Sequence, residues 1–148
     1  MFTTDEQKTI NDAIAIMESK ALKSEFFADS AENVKNFCQL KMGALKNTEF
    51  AVMFLNNKHE MISFETLFKG TVSAFVVHSR EVVRRALLLN ASAVIFAHNK
   101  PSGSLKIEFE ERAVSEKLVN MLGELDIRVL DHVVVGLNGA TSLNTVSD

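Results

Sequence analysis

The residues best placed to do chemistry lie between positions 93 and 111. A run of small and branched apolar residues, Ala93, Val94, Ile95, Phe96 and Ala97, leads into His98, Asn99, Lys100, Pro101, Ser102 and Gly103. A buried strand ending in a polar loop is where open α/β sheets collect ligands. The same residues also suit an ordinary turn, with Pro101 and Gly103 setting the backbone. Glu111 is the second candidate. Counting on from it, positions 114, 118 and 122 are Val, Leu and Leu, so Glu111 shares their stripe, while Glu108, Arg112, Ser115 and Glu116 fall on the polar face. An inward carboxylate needs a partner, because an isolated buried charge is costly. Acids in a first helical turn also offset the helix dipole, by roughly 0.3–1 kcal/mol each, which accounts for Glu108 better than for Glu111. Glu65, flanked by Phe64 and Thr66, is the third; strict alternation along a strand would leave it facing solvent.

Composition bounds what these residues can serve. The chain has 148 residues, 47% hydrophobic and 24% charged, the profile of one globular domain rather than of a disordered tail or a coiled coil. No apolar run approaches the roughly 18 residues that span a bilayer, and Asp5, Glu6 and Lys8 interrupt any apolar leader, so neither membrane nor secretory targeting is expected. The single cysteine, Cys38, excludes an internal disulfide and any multi-thiolate metal site; a reducing cytoplasm is the expected location. Cys38 sits on an apolar helical stripe and reads as a small core residue. The net charge of −3 argues against a dedicated nucleic-acid binder.

The elements that must position these residues are legible as α/β. Residues 4–23 read as an amphipathic helix with Thr4 and Gln7 as its capping box, and residues 32–45 as a second, capped by Asp29 or Ser30 with Val34, Phe37, Cys38, Met42 and Leu45 on one face. Two apolar runs, 50–55 and 61–68, flank Asn56, Asn57 and Lys58 and predict a hairpin. Short strands are expected at 73–77, 91–97, 127–135 and 140–145, and helices at 79–89 and 107–122, with a loop at 98–106. Helices alternate with strands, and hairpin and crossover connections both occur, so a mixed sheet is expected.

Several separated segments resemble the bacterial RadC-like family of JAMM, or MPN-type, metalloprotease domains. They are Glu65 to Thr71, Arg80 to Val83, Ala86-Leu87, Asn90-Ala91, Ala97-His98-Asn99, Pro101-Ser102-Gly103 and Asp126 to His132. The resemblance runs from about residue 50 to 142. It implies a three-layer α/β/α fold with a mixed central sheet, the JAB or cytidine deaminase-like architecture. It divides the chain into a helical leader, 1–48, packed on a JAB domain, 49–148; the leader resembles that of the family's mobile-element and prophage branch.

In that family a Glu serves as general base, two His flanking one residue and an Asp separated from the second His by ten residues hold zinc, and the metal-bound water attacks a peptide or isopeptide carbonyl. By resemblance, Glu65 matches the base and His98 the first ligand. Lys100 replaces the second His, Glu111 replaces the Asp, Glu108 replaces a Ser, and Pro101, Ser102 and Gly103 keep the loop. A lysine binds a metal only after losing its proton, which from a reference pKa of about 10.4 costs roughly 4.6 kcal/mol at pH 7. His59, His78 and His132 fall at a turn, a helix start and a strand, where packing or solvent accounts for them. The resemblance therefore implies a degenerate zinc site, with little or no bound zinc, in a non-catalytic binding or scaffold module for a protein or peptide. Lys100 would supply one positive charge to pair with Glu65 and Glu111. The alternatives are a zinc-dependent metallopeptidase with a variant site, and a DNA-repair accessory protein using Arg80, Arg84 and Arg85. A homodimer is compatible with any of the three.

Overall fold

The computed structural model describes residues 1–22, 26–71 and 77–143. Helices α1 (Thr4–Leu22) and α2 (Ala31–Met42) precede a hairpin, β1 (Glu49–Leu55) and β2 (Met61–Lys69). Then follow α3 (Ser79–Leu88), β3 (Ala93–Asn99), α4 (Phe109–Gly123), β4 (Arg128–Val135) and β5 (Ala140–Ser142). The five strands form one sheet in the order β2-β1-β3-β4-β5. Only β3 and β4 run parallel, and α4 makes the crossover between them; the other pairs are antiparallel. The expected mixed α/β sheet is the one found.

The long apolar runs have a simple cause: both faces of the central strands are covered, so neither face needs polar residues. Ala51, Met53, Leu55, Ile95, Ala97, Val133 and Val135 share a core with Val34, Phe37, Cys38 and Met42 of α2. Phe50, Val52, Phe54, Val94 and Phe96 pack on the other side with Val82 and Ala86 of α3 and Val114, Leu118 and Leu122 of α4. The result is three layers, with the α3 and α4 layer carrying the candidate site.

Local chemistry sets the ends of these elements. The α1 capping box is one residue earlier than expected: the Thr3 N–H donates to Glu6 and the Glu6 N–H donates to Thr3 Oγ1, 2.8 and 3.1 Å. Ser30 caps α2, accepting from the Asn33 N–H at 3.0 Å. In the hairpin turn, Asn56 Oδ1 accepts from the N–H groups of Lys58 and Glu60, which lets His59 adopt a left-handed φ of 63°. Between β1 and β2 the register slips at Phe50/Ala51, where a bulge turns both Leu67 and Phe68 toward the α3 side.

Two boundaries differ where the site is concerned. β3 extends through His98 and Asn99, where the sequence pattern predicts a loop, because β1 pairs with it as far as His98 and β4 as far as Asn99. α4 starts at Phe109 rather than 107, because Glu111 accepts the Glu108 N–H at 2.8 Å and closes the first turn there. The expected strand at 73–77 falls mostly outside the described residues, as does the end of the expected strand at 140–145.

Core packing predicts a sharp contrast between two phenylalanines. Phe37 is 1% exposed between Phe26 and Phe64, whereas Phe109 is 86% exposed. Phe37→Ala is expected to cost about 3–5 kcal/mol in urea unfolding. Phe109→Ala is expected to stay within about 0.5 kcal/mol of the parent.

Candidate functional site

The floor of the site is one row of the sheet. His98 stands between Phe50 of β1 and Val134 of β4, and its side chain points to the α4 layer with that of Phe96. Being paired on both sides, its backbone has little freedom. α4 follows β3 after a loop of nine residues, and its first turn lies over the end of the strand, bringing Glu111 onto His98. The two residues are 1% and 5% exposed.

Glu111 is the hub. Its Oε2 contacts His98 Nε2, while its Oε1 accepts both the Glu108 N–H at 2.8 Å and Lys100 Nζ at 3.0 Å. Lys100 Nζ also donates to the Lys106 carbonyl, tying the two ends of the loop together. Burial pushes the Glu111 carboxyl up, but the hydrogen bonds from His98, the Glu108 backbone and Lys100 outweigh it and hold the group down at about 2. The stripe position thus located a buried carboxylate, and the demand that it find a partner is met three times over.

A loop with no slack presents Lys100. The Lys100 N–H donates to the Val135 carbonyl at 2.7 Å, continuing the β3–β4 ladder. The Gly103 N–H then returns to the Lys100 carbonyl at 2.9 Å, with Gly103 at φ +87°, where a side chain would be strained. Pro101 and Ser102 form the outer lip of a cleft of about 290 Å³ that His98, Lys100 and Glu111 also line.

His132 belongs to this cluster, although the sequence reading treated it as a strand residue explained by packing. Its Nε2 lies 2.7 Å from His98 Nδ1, and it is 1% exposed with the rings of Phe50 and Phe96 edge-on at 5.7 Å each. Burial first, then the neighbouring His98, hold its pKa well below the ordinary histidine value. The signal in the sequence is a histidine leading directly into the apolar run Val133 to Val135.

Glu65 is not part of this cluster. It stands on β2 opposite Val52, whose partner across β1 is Phe96, so it lies two strands from β3 and two residues along from the His98 row. Its carboxylate takes two hydrogen bonds from Arg85, at 2.8 and 2.7 Å, and one from Ser63 at 2.8 Å; the Arg85 bonds hold its pKa low. The expectation that Lys100 would pair with both Glu65 and Glu111 is therefore corrected: Lys100 serves Glu111, and Arg85 serves Glu65. Arg84 is held by Glu81, so two of the three arginines of α3 are engaged by acids rather than presented to a phosphate backbone. Cys38 is fully buried and its thiol is pushed up to about 12, by burial and then by Asp131, which leaves it no nucleophilic character.

The donor set does not fit the family's zinc. Two side chains of a kind that can ligate zinc, His98 and Glu111, meet here, where a catalytic zinc takes three protein ligands. The third place holds an ammonium, already bonded to Glu111 and to the Lys106 carbonyl. Both nitrogens of His98 are occupied by protein partners. No group of three or more His, Cys, Asp or Glu side chains suited to a metal ion occurs among the described residues. No described helix is long and apolar enough to cross a membrane.

The family model described as "RadC-like JAB domain" matches residues 28–147. A UPF0758 protein of Vibrio cholerae is 44% identical over 131 residues, covering 88% of this chain and 82% of that protein. The UPF0758 protein YeeS of Escherichia coli is 40% identical over 136 residues, 92% of each chain. A UPF0758 protein of Xylella fastidiosa is 50% identical over 96 residues, 65% of this chain and 43% of that longer protein.

The buried groups predict loss of stability in acid, in two stages. The unfolded chain takes up a proton at His132 below about pH 6.5, where the folded ring stays neutral. It takes up another at Glu111 below about 4.5, where the folded carboxylate stays ionised until about 2. Both groups have depressed folded values, so stability is highest above these unfolded values and falls as pH falls through each window. Urea midpoints measured from about pH 8 down to about pH 3 are expected to drop in both stages. Glu111→Gln is expected to flatten the lower stage; an unchanged profile in that variant would show that Glu111 is not the group responsible.

Proposed function

This chain belongs to the RadC-like JAB domain family, and from that membership we propose that it acts as a non-hydrolytic binding module that takes a protein or peptide segment in the cleft above His98. Residues 1–48 serve as a helical leader packed on the domain, a reading supported by the burial of Phe37 and Met42 of α2 against the sheet. The observation that carries the proposal is the Lys100–Glu111 ion pair, 3.0 Å long and closed by the Lys106 carbonyl. It occupies the place where the family resemblance puts the second zinc-binding histidine. Without a bound cation to activate water, a JAB scaffold retains a shaped cleft but no nucleophile. Glu65 supports the same reading, because its carboxylate is committed to Arg85 and Ser63 instead of reaching the cleft.

The cleft is at the lower end of the roughly 300–1,000 Å³ of small-molecule pockets, a size suited to one or two side chains of an extended partner. Its rim carries Thr48, Ser102, Glu108 and Glu110, which puts acids on the α4 side, while most of the surface exposed within the cleft is apolar.

The convergence of His98 and Glu111 in one cleft favours a second reading, a metallopeptidase with a variant site, and the two separate experimentally. Chain purified without chelator is expected to carry well under one zinc per chain and to show no turnover of peptide or isopeptide substrates. One retained zinc per chain, with turnover lost on chelation and in Glu65→Gln, would replace the binding-module reading with the metallopeptidase one.

The role of Lys100 has its own test. Imidazole at position 100 would be mostly neutral at pH 7 and would complete a two-His, one-carboxylate set with the family's spacing. Zinc titrated calorimetrically is expected to bind Lys100→His but not the parent. The double variant Lys100→His with Glu111→Asp is expected to bind tighter than either single variant, because it also restores the shorter carboxylate. Equal, negligible binding in all four proteins would mean that Lys100 is not what closes the site.

A further inference from the structure

We propose that His132 is a positioning residue whose Nε2–H donates to Nδ1 of His98, turning the one lone pair of that ring inward, away from the cleft. The inference deepens the binding-module reading by saying what the floor of the cleft presents to a ligand.

Hydrogen-bond supply sets the direction of the His98–His132 contact. An ionised carboxylate only accepts, so the contact between Glu111 and His98 places a proton on His98 Nε2. The other nitrogen of that ring, Nδ1, is 2.7 Å from His132 Nε2, and one of the two must carry the proton between them. His132 Nδ1 decides which. It is buried and has no hydrogen-bond partner among the described residues.

Suppose first that His98 donated. It would then be protonated on both nitrogens, and His132, accepting at Nε2, would carry its own proton on Nδ1. That leaves a buried N–H with nothing to receive it. It also sets a second cation against Glu111, beside Lys100, in a site where His98 is 1% and Glu111 5% exposed. Suppose instead that His132 donates. Both rings are then neutral, Lys100 and Glu111 balance one to one, and the only unanswered group is a lone pair in the apolar pocket between Phe50 and Phe96. The second arrangement avoids both costs.

The direction has a consequence for recognition. His98 Nε2 carries an N–H given to Glu111, Lys100 donates to Glu111 and to the Lys106 carbonyl, and the one lone pair of His98 faces His132. For His98 to bind a cation through Nε2, both rings would have to change tautomer, stranding the proton of His132 on Nδ1. The cleft floor therefore presents no imidazole lone pair, and His98 is not set to bind a cation.

The test is the long-range proton–nitrogen correlation spectrum of imidazole rings in the nitrogen-15-labelled full chain at pH 7. The expected result is the Nε2–H pattern, with bare Nδ1, for both His98 and His132. In His132→Gln the side-chain amide can still donate, and the bare Nδ1 signal of His98 is expected to stay near its parental position. In His132→Leu the donor is gone, and that signal is expected to move away. A proton on Nδ1 of His98 in the parent overturns the proposal, as does an unmoved His98 signal in His132→Leu. If His132→Leu fails to fold, the parental spectrum alone decides. The same sample separates this inference from the reading it rests on. Retained zinc overturns the binding-module reading, whereas metal-free chain with a proton on His98 Nδ1 overturns only the present one.

Discussion

A buried carboxylate organises this protein. Glu111 is nearly fully enclosed, and an enclosed charge is tolerated only when its lone pairs are answered. Three groups answer them: a histidine from the strand below, a lysine from the loop beside it and a backbone N–H from its own helix. Each comes from a different element, so satisfying one charge fixes the relative placement of β3, the 100–108 loop and the start of α4. The helix cap and the site share this residue, which is why α4 cannot begin earlier or later without disturbing the cluster.

The rest of the fold holds that arrangement still. β3 is central, paired to β1 as far as His98 and to β4 as far as Asn99. Asn99 extends the bracing beyond the ladder, accepting the Glu49 N–H at 2.7 Å and donating to the Asn47 carbonyl at 3.0 Å. Two apolar layers clamp the sheet, and the one toward α4 also supplies the aromatic walls around His132. A site on such a platform loses little conformational entropy when it meets a ligand.

In the proposed reading Lys100 stands where the family resemblance puts a histidine, and that changes what the same scaffold can do. A divalent cation held by three ligands polarises water; an ammonium supplies one charge and spends it on Glu111. The protein keeps its cleft, its loop and its buried pair, and the charge of that pair is balanced internally. Glu65, carried on the far edge of the sheet, has a partner of its own in Arg85. The two acids that the family resemblance joins in one reaction are thus neutralised by separate cations, Lys100 and Arg85.

Local pattern was enough for the α/β class, the mixed sheet and most of the helices and strands, because period and capping chemistry are properties of neighbouring residues. It also singled out His98 and Glu111, one at the end of an apolar run and the other out of place on an apolar stripe. The spacing of Lys100 from both was legible for the same reason. His132 was not, because its importance depends on β4 lying parallel beside β3 in one register, and register between strands separated by a helix is a tertiary choice. The pairing of Glu65 with Arg85 is of the same kind: the two are far apart in the chain and meet only once α3 packs over β2. Burial, and with it the depressed titration of Glu111 and His132, is likewise decided by packing. The sequence by itself determined which residues carry charge and which strands and helices they ride on. Only the tertiary structure decided which charges face one another, because that follows from contacts across the sheet rather than along the chain.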